Sequence, residues 1–489
     1  MAIKNTYIRS SKLAQVLQLL TASEYKSFGK WLHSPWCNSN KKLTELYRLL
    51  EKKHPLFDAM HLTREYLFKK LYPEKTYDDK WMRNLKSAMV AQAEKFLAHQ
   101  RLENDKPMAK RLLAKEYLER HRDDWYEKQA GAIIRELEKK ETKETEDYLQ
   151  LALIHEELYY RPGSPQQAHV GHTPLQIAGI YLDTFFSISK WRHITELNER
   201  QVFLSEKNNV VEKIKLINSL VENMDIPVIG VYQGRHELSR ALTKKNYFQF
   251  KEKVFAQFES LPIQDRKLLL FYLINSSVRL WLNGHTNMLP ELLDIYKFGL
   301  KKGLVVNNGR ISARTFSNIV TAANSLSDFN FSNKFIKKYT PCLAPGQQGD
   351  GKSWALSHSY FKQENYSACI GLLANYNFQD NYFNSMGRVL LFQCHFEPCL
   401  RDGSGYLFFY DYSLAFERFI RRSKIYTEKR KKAYLNLIIY CRKLLLTKND
   451  NTLSKQYLEN MLKKINAENN IQAKKWLVNM AVKMKEGLP

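Results

Sequence analysis

The segment from Trp354 to Tyr376 constrains the fold of this chain most strongly, because it has the pattern of two short helices joined by a tight turn. Apolar residues recur at helical spacing in each half, and the polar tripeptide Gln363-Glu364-Asn365 separates the halves. The apolar faces comprise Leu356, Tyr360 and Phe361 in the first half and Tyr366, Cys369, Leu372 and Leu373 in the second. Such a hairpin cannot bury its apolar surface alone, so the pattern predicts similar helix pairs stacked before and after it.

Related patterns flank this segment between residues 311 and 420. One helix is predicted by the spacing of Phe316, Ile319, Ala323 and Leu326, and its partner by that of Phe331, Phe335, Ile336 and Tyr339. A later copy, displaced by an insertion at Arg401–Gly405, is predicted by Tyr412, Ala415 and Phe419. Phe331 and Tyr366 occupy equivalent places in this interpretation, 35 residues apart. That spacing is close to the period of about 34 residues found in tetratricopeptide repeats.

The hairpin also resembles a tetratricopeptide motif residue by residue. The matching positions are Leu356, Ser357 and Tyr360 in the first helix and Tyr366, Cys369 and Leu373 in the second. Cys369 stands where the motif usually has alanine, and no proline closes the repeat near Asn381. The resemblance implies a right-handed superhelical array of antiparallel helix hairpins, with a concave groove that holds a peptide or partner subunit.

Composition supports an all-α fold for the whole chain. Only 14 prolines and 19 glycines interrupt 489 residues, which favours long helices with brief turns over a fold rich in β-turns. We therefore predict a helical N-terminal cap over 1–105, beginning with one helix from Ser11 to Leu32, with Thr63 and Asp78 starting later helices. A helical-repeat array over 106–489 follows, with a hinge at 161–174 and a basic C-terminal end at 418–489.

The net charge of +26 is concentrated at the two ends of the chain. Residues 101–250 carry 23 basic and 23 acidic side chains, whereas residues 301–489 carry 29 and 13. The excess is densest in Arg418–Lys448, where Glu428 is the only acidic residue. Its candidate contacts to a polyanion or an acidic partner are Arg418, Arg421, Arg422, Lys424, Lys429, Arg430, Lys431, Lys432, Arg442 and Lys443. Tyr426 is a candidate for stacking on nucleic-acid bases, and a merely solubilising surface is the alternative.

The sequence Gly346-Gln347-Gln348-Gly349-Asp350-Gly351-Lys352-Ser353 satisfies the phosphate-loop pattern. In a nucleotide-binding enzyme the glycines let backbone N–H groups surround phosphate, and a buried strand precedes the loop. Here the preceding residues include Pro341, Pro345 and two lysines, which do not predict a strand. We therefore interpret Gly346–Ser353 as a flexible turn between repeats.

Metal and membrane sites have weaker signals. His155 with His169 and His172, and Cys394-His395 with Cys399, each lack the remaining ligands of a four-ligand zinc set. The six cysteines are scattered in a manner typical of reduced core residues, and neither a secretory signal nor an apolar run of about twenty residues is present. We expect a cytoplasmic protein without a cofactor, a metal or a small-molecule substrate.

The functional hypothesis is a non-enzymatic scaffold that binds an acidic protein or peptide through its helical-repeat groove. The alternative is an RNA- or DNA-binding helical-repeat protein that uses the basic C-terminal surface.

Overall fold

A computed structural model describes residues 7–58, 61–160, 173–204, 211–220, 226–449 and 454–486. The described residues form α-helices and short 3-10 helices, and their only β-type pairings are two isolated bridges, Tyr7 with Thr63 and Asn307 with Arg310. The prediction of an all-α fold is confirmed. The chain divides into two compact units, Met1–Lys140 with Leu149–Tyr181 and Glu141–Tyr148 with Leu182–Pro489.

The α-helices of the described residues begin with α1 (Lys12–Leu17), α2 (Ala22–His33), α3 (Lys41–Glu51), α4 (Arg64–Leu71), α5 (Asp79–Asn104), α6 (Lys106–Glu119), α7 (Asp123–Glu138), α8 (Thr145–Tyr160) and α9 (Thr173–Leu204). The first unit contains α1 to α7 and parts of α8 and α9, and the remaining residues of α8 and α9 belong to the second unit. The apolar core of α1–α5 runs from Ile8 to Phe96, and a separate cluster from Ala114 to Ile154 joins α6, α7 and α8. The boundary between 1–105 and 106–489 stays a prediction.

The first predicted helix is wrong, because a capping box divides it. Thr21 Oγ1 accepts a hydrogen bond from Glu24 N, and Thr21 N donates to Glu24 Oε2 at 2.7 Å. These two bonds satisfy backbone donors at the start of α2 and stabilise a new helix there. The predicted helix starts at Thr63 and Asp78 are confirmed, since both side chains cap the helices that follow.

The hinge predicted at 161–174 lies almost wholly outside the described residues. Its last two residues, Thr173 and Pro174, are described, and both belong to the first turn of α9. Residues 161–172, which include His169 and His172, lie outside the described residues.

The second unit continues with fourteen further helices among the residues that the structure describes. They are α10 (Val211–Leu220), α11 (Pro227–Arg240), α12 (Lys244–Ala256), α13 (Ile263–Leu282), α14 (Met288–Lys301), α15 (Ala313–Ser325), α16 (Phe329–Tyr339), α17 (Gln348–Lys362), α18 (Tyr366–Ala374), α19 (Asn381–Asp402), α20 (Tyr406–Arg422), α21 (Glu428–Asn449), α22 (Lys455–Ala467) and α23 (Lys474–Glu486). Sequence neighbours pack in pairs, among them α13 with α14, α15 with α16, and α17 with α18.

Two successive helix pairs share the same turn chemistry. Ser327 and Glu364 both have φ of 59°, and the next residue in each case, Asp328 or Asn365, caps the second helix with its side chain. The equivalent positions are therefore 37 residues apart, which aligns Phe329 rather than Phe331 with Tyr366. The predicted spacing of 35 residues is wrong by two at this turn, because α17 has 15 residues and α15 has 13.

The first helix of the Trp354–Tyr376 hairpin also presents a different face to the core from the one predicted. The buried residues are Trp354, Ala355, Ser357, His358 and Phe361, together with Asp350, Gly351 and Ser359. Leu356 is half-buried and Tyr360 is exposed. In the second helix Cys369 and Leu373 are buried as predicted.

Candidate polyanion-binding surface

The predicted basic residues lie on two neighbouring helices and the turn between them. Arg418, Arg421 and Arg422 occupy the last part of α20, and Lys424 lies in the turn. Lys429, Arg430, Lys431 and Lys432 occupy the first turns of α21. The structure thus brings eight of the ten residues to one end of the α20–α21 pair. Arg442 and Lys443 lie ten residues or more farther along α21 and do not belong to this end.

Carboxylates among the described residues pair with three of these cations, Arg421, Lys431 and Arg442. Glu417 on α20 accepts hydrogen bonds from Arg421 at 2.8 Å and from Arg442 on α21 at 2.6 Å. Lys431 pairs with Glu428 at 2.8 Å. The hydrogen bond from Arg421 is the largest effect and lowers the pKa of Glu417; burial raises it, and the hydrogen bond from Arg442 lowers it further. Arg442 also donates to Ser413 Oγ, so its role is to fasten α21 to α20.

Four of the remaining cations are available for a partner. Arg422, Lys424, Lys429 and Lys432 are exposed, and the described part of the chain contains no ion pair to any of them. We call these four residues the turn cluster. The exposed Arg418 and Arg430 differ, because Arg418 donates to the carbonyl oxygen of Leu414 and Arg430 lies over the Tyr426 ring. Sequence reasoning included all four but did not separate them from Arg421, Lys431 and Arg442, because ion pairing depends on which helices become neighbours.

Two members of the turn cluster, Lys429 and Lys432, lie where a cation is unfavourable for helix stability, whereas Arg422 lies in the last turn of α20, where a cation is favourable. The N-terminus of a helix carries a partial positive charge, so cations in its first turns cost about 0.3–1 kcal/mol each at low ionic strength. Lys429, Arg430 and Lys432 occupy that position in α21, and Glu428 is the one acidic residue of the first turn. An anion bound at this end relieves both the mutual repulsion of the cations and their repulsion by the helix dipole.

Tyr426 does not provide the predicted stacking surface. It is only 8% exposed, its hydroxyl lies 2.6 Å from Ser385 Oγ, and its ring lies 5.3 Å from that of Tyr434. The neighbouring Ile425 is 61% exposed. The turn therefore presents an aliphatic side chain among its cations and keeps its aromatic ring in the core.

The phosphate-loop pattern has a structural explanation. Pro345–Gln347 forms a 3-10 helix, and residues 348 onward form α17, so the predicted flexible turn is wrong. The segment before it, Thr340–Cys342, is another 3-10 helix rather than a strand. A Cβ added to Gly351 would lie 2.4 Å from Leu343 Cδ1, so the absence of a side chain at this position permits close packing.

Asp350, inside the same pattern, fastens the loop that leads to α19. Its carboxylate accepts from the Tyr376 hydroxyl at 3.0 Å, from Gln379 N at 2.9 Å and from Asp380 N at 2.6 Å. Asp380 in turn caps α19. The residues of the pattern thus connect α17 to the next helix pair, which sequence reasoning missed because these contacts join residues about thirty positions apart.

The cysteine and histidine candidates for a metal site have other contacts. Cys399 Sγ donates to the carbonyl oxygens of His395 and Ser404, and the His395 ring packs against Phe408 and Tyr412. Cys394 is buried beside Cys369, and the contact with Cys369 followed by burial raises the pKa of its thiol. Across the described ranges, no group of three or more His, Cys, Asp or Glu residues is arranged to hold a metal ion.

Among the described helices, none combines the length and apolar character required to span a bilayer. Comparisons with protein-family models, with curated proteins and with solved structures give no match for this chain.

Proposed function

We propose that this chain is a non-enzymatic scaffold whose helical-repeat array binds an acidic protein or peptide, with the turn cluster as the anionic partner's principal contact. The array itself is proposed to be a right-handed superhelix of antiparallel, tetratricopeptide-like hairpins. The repeated turn geometry at Ser327-Asp328 and Glu364-Asn365 supports this arrangement. The packing of α15 against α17 and of α17 against α19 also supports it, because first helices of successive repeats contact one another in such arrays.

The single observation that carries the binding proposal is the exposed Ile425 between the cations of the turn cluster. Lys424 precedes it, Lys429 follows four residues later, and its side chain is 61% exposed. Protein interfaces combine a few apolar anchors with a polar rim, and the cations attract an acidic partner at long range. A phosphate backbone offers nothing to an aliphatic side chain, and Tyr426 is buried, so we favour a protein over nucleic acid.

The test separates charge from the apolar anchor. One variant carries Arg422→Glu, Lys424→Glu, Lys429→Glu and Lys432→Glu, which leaves the ion pairs of Glu417 and Glu428 intact. A second carries Ile425→Ser alone. The matched charge control replaces four exposed lysines of the first unit, Lys26, Lys30, Lys41 and Lys52, by Glu. The apolar control is Leu407→Ser, which alters an exposed apolar side chain of α20, outside the turn that contains Ile425.

Binding affinity is measured by fluorescence anisotropy at two salt concentrations. The labelled ligands are a peptide of alternating Glu and Leu, mixed-sequence RNA and duplex DNA. We expect both test variants to weaken peptide binding and both controls to leave it unchanged. Tight RNA or DNA binding that is lost with the four charges but retained in Ile425→Ser supports the nucleic-acid alternative instead. Affinity purification from the native host, with and without nuclease, then identifies the partner.

A further inference from the structure

A groove between α1 and α5 in the first unit is a second concentration of positive charge. Its volume is about 330 Å³. Its lining residues are Lys12 and Leu13 from α1 and Arg83, Lys86, Ser87, Val90, Ala91 and Glu94 from α5. Arg83, Lys86 and Val90 recur at helical spacing, so they lie along one face of α5. We call this the α1–α5 groove.

Lys86 is the unusual residue of this groove. Only 9% of it is exposed, yet within the described residues it has no hydrogen bond and no ion pair. Most of the Lys86 side chain is removed from water, but its Nζ is not fully buried and can reach the groove. A partly desolvated ammonium group without an anionic partner favours the binding of an anion. Burial lowers the pKa of Lys86, and the nearby Arg64 lowers it further.

The carboxylates near Lys86 are already engaged by other residues. Asp79 accepts from Arg64 at 3.2 Å, from Arg83 at 2.9 Å and from the Tyr77 hydroxyl at 2.9 Å. Glu94 pairs with Lys12 at 3.0 Å across the mouth of the groove.

A second donor near Lys86 also lacks an acceptor. Arg64 Nε is buried without a hydrogen-bond acceptor. Among the described residues, the lining of the groove itself contains three cations, Lys12, Arg83 and Lys86, and one carboxylate, Glu94, which is an excess of two positive charges.

We propose that the α1–α5 groove binds a dianionic phosphate group, with Lys86 as its central ligand and Arg83 and Ser87 as further donors. A dianion compensates both excess charges, whereas one carboxylate compensates only half of the excess. The phosphate is either the free ion or the terminal monoester of a small metabolite, and the chemistry of recognition is the same for both. This site is separate from the turn cluster and does not depend on the proposed scaffold function.

The full-length protein is titrated with inorganic phosphate by isothermal titration calorimetry, and its melting temperature is followed at matched ionic strength with chloride. We expect one phosphate per chain and a rise in melting temperature beyond the chloride control. Lys86→Met should abolish both effects, while Arg83→Gln should weaken binding by about tenfold. Lys95→Met, an exposed lysine of the same helix that does not line the groove, should bind like the unaltered protein.

The Lys86→Met variant also distinguishes a ligand site from a structural lysine. If Lys86 serves binding, replacing its unpaired ammonium by an apolar side chain of similar length raises the melting temperature without phosphate. Phosphate binding that persists in Lys86→Met, or an equal response to acetate, contradicts the proposal, as does no response of the unaltered protein. Titration with O-phosphoserine identifies the source: a response like that to phosphate indicates a monoester site, and no response indicates the free ion.

Discussion

Arg192 on α9 and Asp265 on α13 form a bidentate ion pair, with Nε to Oδ1 at 2.8 Å and Nη2 to Oδ2 at 2.6 Å. Asp265 is fully buried, and its Oδ1 also accepts from the hydroxyl of Tyr232 on α11. One carboxylate therefore joins three helices of the second unit, and its pairing offsets the cost of its burial.

We predict that Asp265→Ala destabilises the protein by about 3–5 kcal/mol, because it leaves the Arg192 guanidinium partly buried without its carboxylate. The measurement is the free energy of unfolding from urea titration followed by circular dichroism. The control is Glu259→Gln, which removes an exposed carboxylate that pairs with Arg266 and Lys302 and should change stability little. If the two variants lose similar amounts of unfolding free energy, the prediction is wrong.

Gly351 and Gly346 should respond differently to substitution, although both belong to the phosphate-loop pattern. We expect Gly351→Val to cost about 1–3 kcal/mol, because the new side chain overlaps Leu343 and approaches Phe383. Gly346→Ala should change stability little, since nothing lies within 4 Å of its Cβ position. Urea titration measures the free energy of unfolding of both variants. In the presence of ATP, we expect Lys352→Ala to be as stable as the unaltered protein. An ATP-dependent stabilisation that Lys352→Ala abolishes supports a phosphate loop instead.

His358 should make the second unit sensitive to acid. Burial, followed by the charge of Lys362, lowers its pKa to about 3, and Nδ1 lies 3.1 Å from the amide nitrogen of Asn324. The unfolded chain binds the proton more readily than the folded one. The stabilising contribution of neutral His358 is therefore complete above the ordinary value of 6.5 and is lost as the pH falls from 6.5 toward 3.

Stability should fall by about 1.4 kcal/mol per pH unit through this one group within that window. His358→Gln should show a correspondingly shallower decline between pH 6.5 and 4.5, measured by urea titration at several pH values. His285→Gln, which changes an exposed histidine, is the control and should follow the unaltered protein. Identical slopes in all three proteins contradict this role of His358.

Glu417 should stabilise the α20–α21 pair only while it is ionised. Its pKa is lowered from the ordinary 4.5, first by Arg421 and then by Arg442. Its contribution is therefore complete above about 4.5 and is lost as the pH falls through the lowered value. Glu417→Gln should be less stable at pH 7 and should lose less stability between pH 7 and pH 4. Hydrogen exchange of α21 amides provides a local readout, and Glu428→Gln serves as the exposed control.

The basic C-terminal end shows how far the sequence alone leads. Charge counting predicted a basic surface at this end, because ionisable side chains are rarely buried without a partner, and whether a partner binds there stays a prediction. Charge counting could not separate Arg442, which fastens α21 to α20, from Lys432, which is exposed and has no ion pair in the described chain. Charge-reversal of Arg421 or Lys431 would for the same reason disturb local ion pairs as well as binding.

The errors along the chain have similar causes. Periodicity favours one long helix over Ser11–Leu32, but the local Thr21–Glu24 capping box divides it. Periodicity also permits more than one inward face for α17, since aromatic residues occur on several sides. The packing of α15, α18 and α19 around it selects Trp354 and His358 rather than Tyr360. In the same way Tyr426, predicted to be available for stacking, is buried, while Ile425 beside it is exposed.

The sequence by itself determined the helical class, the turn at Gln363–Asn365 and the position of the basic end. These depend on residue type, on helical spacing and on short-range capping, which neighbouring residues decide. Tertiary contacts decide that a helix begins within Gly346–Ser353, that Arg192 and Asp265 pair, and that Lys86 lies in a groove with no ion pair to any described residue. Each of these depends on contacts between residues distant in the chain, and chain spacing does not encode which distant residues meet.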